Sequence, residues 1–514
     1  MPQPPAPAGD ARPAPPAAVD QLVTRHHQVT IGGATVRYTS TTGRIVLHQE
    51  KRKDGDATAT WEGARPRAEV FFVAYAREGA GEPARRPVTF SFNGGPGSSS
   101  VWMHLGLLGP KRVRLQDDGM AVPPPYELVD NDASLLDVSD LVFIDPVGTG
   151  FSRAVTGEKP KDFHGFEGDV ESVGDFIRLW ISRFGRWSSP KYLIGESYGT
   201  TRAAALAGYL MDRHALYLNG LMLISSVLDF STVRFETGND LPPLLFLPTY
   251  AAAAHYHGRL DAELQARPID DLLAEVEAWT LERYGPALLR GDALPAEETD
   301  GLAAELARYT GLDEGYVRRC RLRLDIHRFT KELLRERGRT IGRIDARYTG
   351  VDRDGGGEKP EFDPSMGATM GAYGATVNDY LRRELGFDSD LPYEVISSLY
   401  SIWDYGKFQN RFVNVAETLR RAIATHPYLR VFVASGVYDL ATPHFATRYT
   451  LDHLGLPPEL RGNLEEVRYH AGHMMYVDVG ILGKMKDDLA RFVRAAADPE
   501  RTSPLAPAPG ISPR

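Results

Sequence analysis

Gly195-Glu196-Ser197-Tyr198-Gly199 closes the apolar run Tyr192-Leu193-Ile194 and opens the small-residue stretch Thr200 to Tyr209. An apolar strand that turns into a helix through Gly-x-Ser-x-Gly is a nucleophile elbow. The glycines let strand and helix approach closely, and the serine hydroxyl is pushed out above the sheet, where a base reaches it. Five residues of this pattern carry little alone; the strand before them and the helix after them supply the rest.

The sequence on either side repeats the design. Val88-Thr89-Phe90-Ser91-Phe92 runs into the loop Asn93-Gly94-Gly95-Pro96-Gly97, and Asp140 to Ile144 runs into Asp145-Pro146-Val147-Gly148-Thr149-Gly150. Upstream, Val36 to Thr39, Arg44 to His48 and Glu69 to Tyr75 carry strand residues. A helix is expected over Phe166 to Phe184, with Val170, Val173, Phe176, Ile177 and Trp180 on one face. A buried strand follows at Leu218 to Ile224. Strands alternating with helices give an α/β fold, a mostly parallel central sheet covered on both faces. Near Phe230 the texture becomes helical, with the stripe Ile269, Leu272, Leu273, Val276 and Trp279 behind Pro268. Alternation resumes with a helix at Asn414 to Ile423, strands at Arg430 to Ala434 and Glu466 to Tyr469, and a closing helix at Ile481 to Ala495. The expected organisation is a Pro/Ala-rich disordered arm (1–20), a sheet domain in two parts (21–229 and 396–498) split by a mainly helical insertion (230–395), and a disordered tail (499–514). Active sites of such sheets form beyond the C-terminal strand ends, where the insertion would sit as a cap and shape a pocket.

Composition narrows the function. A formal net charge of −9 argues against nucleic acid as the main partner. Cys320 is the single cysteine, so neither an internal disulfide nor a cysteine-based metal site is possible. Seven prolines and six alanines fill residues 1–20 without a basic start and an apolar run, so the arm does not read as a secretory signal. The expected location is the cytoplasm, and no run approaches a membrane span. Gly148-Thr149-Gly150 lacks the spacing of a dinucleotide fingerprint. His26-His27 has no ligand partner at useful spacing. No cofactor and no metal are expected. The basic stretch Arg318 to Arg339, interrupted by Asp325, Glu332 and Glu336, reads as a solvated cap helix, with an anionic docking surface as the alternative.

A serine hydroxyl needs a base, and in this strand–helix arrangement the order along the chain is serine, acid, histidine. Asp439 follows the strand Arg430 to Ala434, and His473 follows Glu466 to Tyr469, so both stand at strand ends. His470 is the rival base. Asp452, Asp478 and Asp487 read as solvated charges or caps. Acyl transfer also needs donors aimed at the oxyanion. Tyr198, after the nucleophile, offers one backbone N–H and Gly95 the other. Glu196 places a carboxyl beside the nucleophile; paired with Asn93 it can hydrogen-bond a substrate carboxylate, and the alternative is a solvent-facing or salt-bridged glutamate.

These pieces, with Gly436-Val437-Tyr438-Asp439 and Ala471-Gly472-His473-Met474, resemble the serine carboxypeptidase family, peptidase family S10, of the α/β-hydrolase fold. The resemblance implies cleavage of peptides from a free C-terminus, often with an acidic optimum. It implies Ser197, Asp439 and His473 as the triad, Gly95 and Tyr198 as the oxyanion hole, and Asn93 and Glu196 as readers of the terminal carboxylate. Family members usually carry tryptophan at Ser91, cysteine at Ser98 and a second glutamate at Leu107, so half of the carboxylate-binding network is absent here. The lone cysteine also removes the disulfides of eukaryotic members, and the chain resembles a divergent, bacterial-type branch. The implied partner is a peptide with a free C-terminus. An esterase or acyltransferase with the same triad is the second expectation, and a silent scaffold, which a fluorophosphonate would not label, the third.

Overall fold

Parallel strands buried on both faces need unbroken apolar runs, and the centre of the sheet is made of them. Val88–Phe92, Asp140–Ile144 and Gly220–Ser226 are buried at every residue, and Lys191–Ser197 at every residue but the last. The computed structural model describes residues 18–52, 61–82 and 85–505; most of the expected arm and tail lies outside them. The strand order is Gln21–Ile31, Ala34–Arg52, Trp61–Arg77, Asp140–Ile144, Val88–Phe92, Lys191–Ser197, Gly220–Ser226, Arg430–Gly436, Leu464–Tyr469. The first three junctions are antiparallel and the remaining five parallel. The chain leaves Val88–Phe92 toward one side, to Asp140–Ile144, and returns on the other, to Lys191–Ser197. The loops after Val88–Phe92 and Lys191–Ser197 therefore flank the point where the winding reverses, the place where such sheets hold ligands.

Phe166–Arg183, Tyr198–His214 and Ala416–Thr425 cover one face, burying Val170, Phe176, Leu206 and Leu419 against Leu223. Val479–Ala497 covers the other with Phe492 and Leu489 against Met222 and Phe432. The helix Pro364–Arg383 falls within the stretch assigned to the insertion, yet its Tyr373, Val377 and Tyr380 pack into this second face. The cap's own core is built from Leu241–Tyr256, Ile269–Trp279 and Ala296–Thr310, and takes in Val437, Tyr438 and Leu440 of the sheet domain. The cap core is thus continuous with the loop that carries Asp439. Its basic stretch is largely ion-paired, as in Arg323 with Asp240 and Lys331 with Asp352. Among the described residues, no helix is long and apolar enough to cross a membrane.

Candidate active site

Ser197 lies at φ 60° and ψ −129°, between the elbow strand and the helix Tyr198–His214. A non-glycine residue holds such a φ only where packing enforces it. A Cβ on Gly195 would lie 2.1 Å from the Gly199 carbonyl oxygen, and one on Gly94 2.5 Å from the Tyr198 nitrogen. The two glycines let the strand fold tightly onto its helix, and the Asn93 loop onto both. The Tyr198 N–H is left at the positive end of the helix dipole. Gly95, at φ 104°, is the exposed residue of the facing loop. Asn93, Gly95, Glu196, Ser197, Tyr198 and His473 all line one cavity of about 540 Å³.

A buried ion pair holds the two loops in register. Arg202, on the elbow helix, donates through Nε to Asp169 at 2.7 Å and through a second nitrogen to the Asn93 carbonyl at 2.6 Å. Its guanidinium also stacks on Phe92 and Tyr198, 5.4 and 5.3 Å from the ring centroids. Both paired side chains are 1% exposed. Arg202→Met leaves a buried carboxylate without its partner, which costs about 3–5 kcal/mol. The urea midpoint should fall accordingly, and adding Asp169→Leu should recover much of the loss. An unchanged midpoint in Arg202→Met would contradict this role.

Asp439 is completely buried and accepts four hydrogen bonds. Oδ1 takes the N–H groups of Ala441 at 2.7 Å and Thr442 at 3.0 Å. Oδ2 takes the Thr442 hydroxyl at 2.8 Å and His473 Nδ1 at 2.7 Å. The His473 backbone is pinned from both sides, its N–H to the Ile344 carbonyl and its carbonyl to the Ser225 hydroxyl, each at 2.7 Å. Burial pushes the imidazole pKa down, but the Asp439 carboxylate and its hydrogen bond, with Glu196 behind, outweigh burial and hold it above the ordinary histidine value. His470, the rival, is outside the cavity, exposed and 3.0 Å from Asp270 of the cap. Asp478 caps the last helix through Ile481 N–H.

Glu196 is buried, not solvent-facing. Asn93 Nδ2 donates to one of its oxygens at 3.0 Å and the Tyr476 hydroxyl to the other at 2.6 Å. Burial pushes its pKa up to about 7, against the opposing pull of His473, Tyr476 and Asn93. Ser91 and Leu107 are buried away from the cavity. The Asp145 loop lies behind the site. Asp145 accepts from Ser100 N–H at 2.8 Å and from its hydroxyl at 2.7 Å, fastening the turn after the Asn93 loop.

Tyr476 is the partner that sequence reading missed; a tyrosine three residues past His473 was its only signal. Arg234, Arg343, Met366, Ile396 and Tyr400 also line the cavity; Arg234, Arg343 and Met366 come from the stretch assigned to the insertion, and Ile396 and Tyr400 follow it, Ile396 pairing with the Ser98 loop. Among the described residues, no group of three His, Cys, Asp or Glu is placed to hold a metal ion; His26 pairs with Glu78 at 2.7 Å.

The strand order, the elbow, and an acid and a histidine on later strand ends are those of the α/β-hydrolase fold. Residues 62–264 match the family model of the serine carboxypeptidases. Serine carboxypeptidase-like 11 of Arabidopsis thaliana is 31% identical over 142 residues, 27% of this chain and 31% of that protein. The pheromone-processing carboxypeptidase KEX1 of Saccharomyces cerevisiae is 34% identical over 163 residues, 30% of this chain and 20% of that protein. The chain thus spans less than a third of the length of these curated relatives. The crystal structure of Kex1(Δ)p, a prohormone-processing carboxypeptidase from Saccharomyces cerevisiae, superimposes with a TM-score of 0.54 at 18% identity, covering 89% of this chain and 91% of that one; this likeness shows the fold. Residues 62–264 of this chain are thus similar to the serine carboxypeptidase family, and the chain as a whole has the α/β-hydrolase fold.

Proposed function

We propose that this protein is a serine-type carboxypeptidase that hydrolyses C-terminal peptide bonds through an acyl-enzyme on Ser197. Ser197 Oγ attacks the scissile carbonyl carbon while His473 takes its proton. The oxyanion is held by the Gly95 and Tyr198 N–H groups. The C–N bond breaks as His473 gives the proton to the leaving nitrogen, and a water deprotonated by His473 then cleaves the ester. The observation that carries the reading is Glu196, buried beside the nucleophile with Asn93 and Tyr476 on its two oxygens. A carboxyl held near neutrality can share a proton with a substrate carboxylate, a contact that an amide or ester end cannot reproduce in the same form.

The test compares N-blocked peptides ending in a free acid, an amide and an ester across pH. Glu196 ionises above about 7, loses the proton it donates and repels the like charge. KM for the free acid should therefore rise with pH through that range, while the amide and ester stay nearly flat. Turnover needs neutral His473 and falls toward acid pH, with a midpoint above the ordinary histidine value. The free acid should thus have the more acidic kcat/KM optimum, and Glu196→Gln should flatten its KM rise. Superimposed profiles for the three substrates would overturn the carboxylate-reading role. The esterase or acyltransferase reading is favoured by Leu107, apolar and 1% exposed where the family's second glutamate is usual; those superimposed profiles would select it.

A further inference from the structure

The protein is anionic overall, at −9, but its candidate active-site cavity is not. The charged or titratable side chains among its lining residues, apart from tyrosines, are Glu196, Arg234, Arg343 and His473. Glu196 is engaged with Asn93 and Tyr476. Arg234 lies over the Phe230 ring, 5.5 Å from the centroid, where the chain leaves the sheet for the cap. Arg343 lies on the segment between Thr340–Ile341 and Thr349–Gly350. Its carbonyl accepts the Leu440 N–H at 3.0 Å, and the next residue, Ile344, holds His473 N–H at 2.7 Å. The backbone at Arg343 is therefore fixed to the loops of both Asp439 and His473. Among the described residues, neither guanidinium has a carboxylate within ion-pair distance, whereas Arg186, Arg202, Arg323 and Arg347 each have one. Two arginines lining one cavity, neither ion-paired among the described residues, favour an incoming negative charge and disfavour a positive one.

We infer that the site selects acidic peptides, with a side-chain carboxylate on a residue flanking the scissile bond in addition to the terminal carboxylate. This rests on the carboxypeptidase reading. Glu196 and Asn93 serve the chain end, leaving Arg234 and Arg343 for the side chain. A lysine there would meet two like charges.

Two series of N-blocked dipeptides with free C-termini test it, one varying the leaving residue (Ala-Glu, Ala-Gln, Ala-Lys) and one the acyl residue (Glu-Ala, Gln-Ala, Lys-Ala). In at least one series, kcat/KM for Glu should exceed Gln by about tenfold, with Lys the poorest, and added salt should shrink the gap. Arg343→Gln or Arg234→Gln, checked for folding by circular dichroism, should bring the Glu-to-Gln ratio of the affected series toward one. A wild-type ratio of one or less in both series overturns the inference, as does a ratio that survives in both variants. Equal rates for Glu and Gln, with Arg343→Gln raising KM for every free-acid peptide, would instead put the arginine on the terminal carboxylate and also overturn it. If every free-acid peptide is inert while the ester of a blocked alanine turns over, the carboxypeptidase reading itself has failed.

Discussion

Ser197→Ala is expected to abolish hydrolysis of both peptides and esters, a loss on the order of 10⁶ in kcat, while the protein stays folded. The elbow holds Ser197 at φ 60°, and its side chain makes no capping bond to the helix it precedes. Alanine keeps the same backbone preferences and removes only the hydroxyl. The change leaves the backbone geometry and the surrounding packing in place, so the thermal midpoint should hardly shift. In the proposed mechanism the hydroxyl forms the acyl bond, and neither the proposed oxyanion donors nor the proposed carboxylate-reading groups can replace it. Steady-state kinetics with circular dichroism and fluorophosphonate labelling read all three properties. Activity near wild type, or an adduct still formed by the variant, would move the nucleophile elsewhere.

Asp439→Asn should lower turnover by about 10⁴, and His473→Ala should be as damaging as the serine change. The substituted amide could keep its oxygen on the Ala441 and Thr442 N–H groups, which account for half of the bonds Asp439 now accepts. Its nitrogen would then face His473 Nδ1, forcing the ring proton onto the nitrogen that acts as base in the proposed mechanism. The charge is lost as well. Asp439 is what holds the His473 pKa up against burial, so the acid limb of the turnover profile should move to lower pH in the variant. A merely structural aspartate would leave that limb where it was. His470→Ala should stay near wild type, because His470 sits outside the cavity on Asp270. Unchanged turnover in Asp439→Asn, or the two histidine results reversed, would remove these assignments.

The elements nearest the site were legible because local chemistry dictates them. The elbow needs glycine where strand and helix touch, and parallel strands need apolar runs, so Tyr192 to Tyr209 and Val88 to Gly97 declare themselves. The outer sheet was not. Gln21–Ile31 is an edge strand exposed along most of its length, and an edge needs no apolar alternation to form. Val36 to Thr39 and Arg44 to His48 read as two strands but are one, Ala34–Arg52, because its partners on both sides carry the pairing across Gly43. Pro364–Arg383 carries several glycines and a muted apolar stripe, so its place on the sheet follows from tertiary packing of Tyr373 and Tyr380. Arg234 and Arg343 reach the cavity only through the path of the cap, which no short-range pattern records. Tyr476 lay in plain view beside His473, but its bond to Glu196 spans 280 residues of chain.

The most direct test of the proposed activity is mass spectrometry of one unlabelled peptide after incubation with the purified protein, beside its N-acetylated and C-amidated twins. A carboxypeptidase reading a free carboxylate trims single residues from the C-terminus of the parent and the N-acetylated peptide alike, and works on the amide far more slowly. Internal cleavage, loss from the N-terminus, or equal trimming of the amidated twin would contradict it.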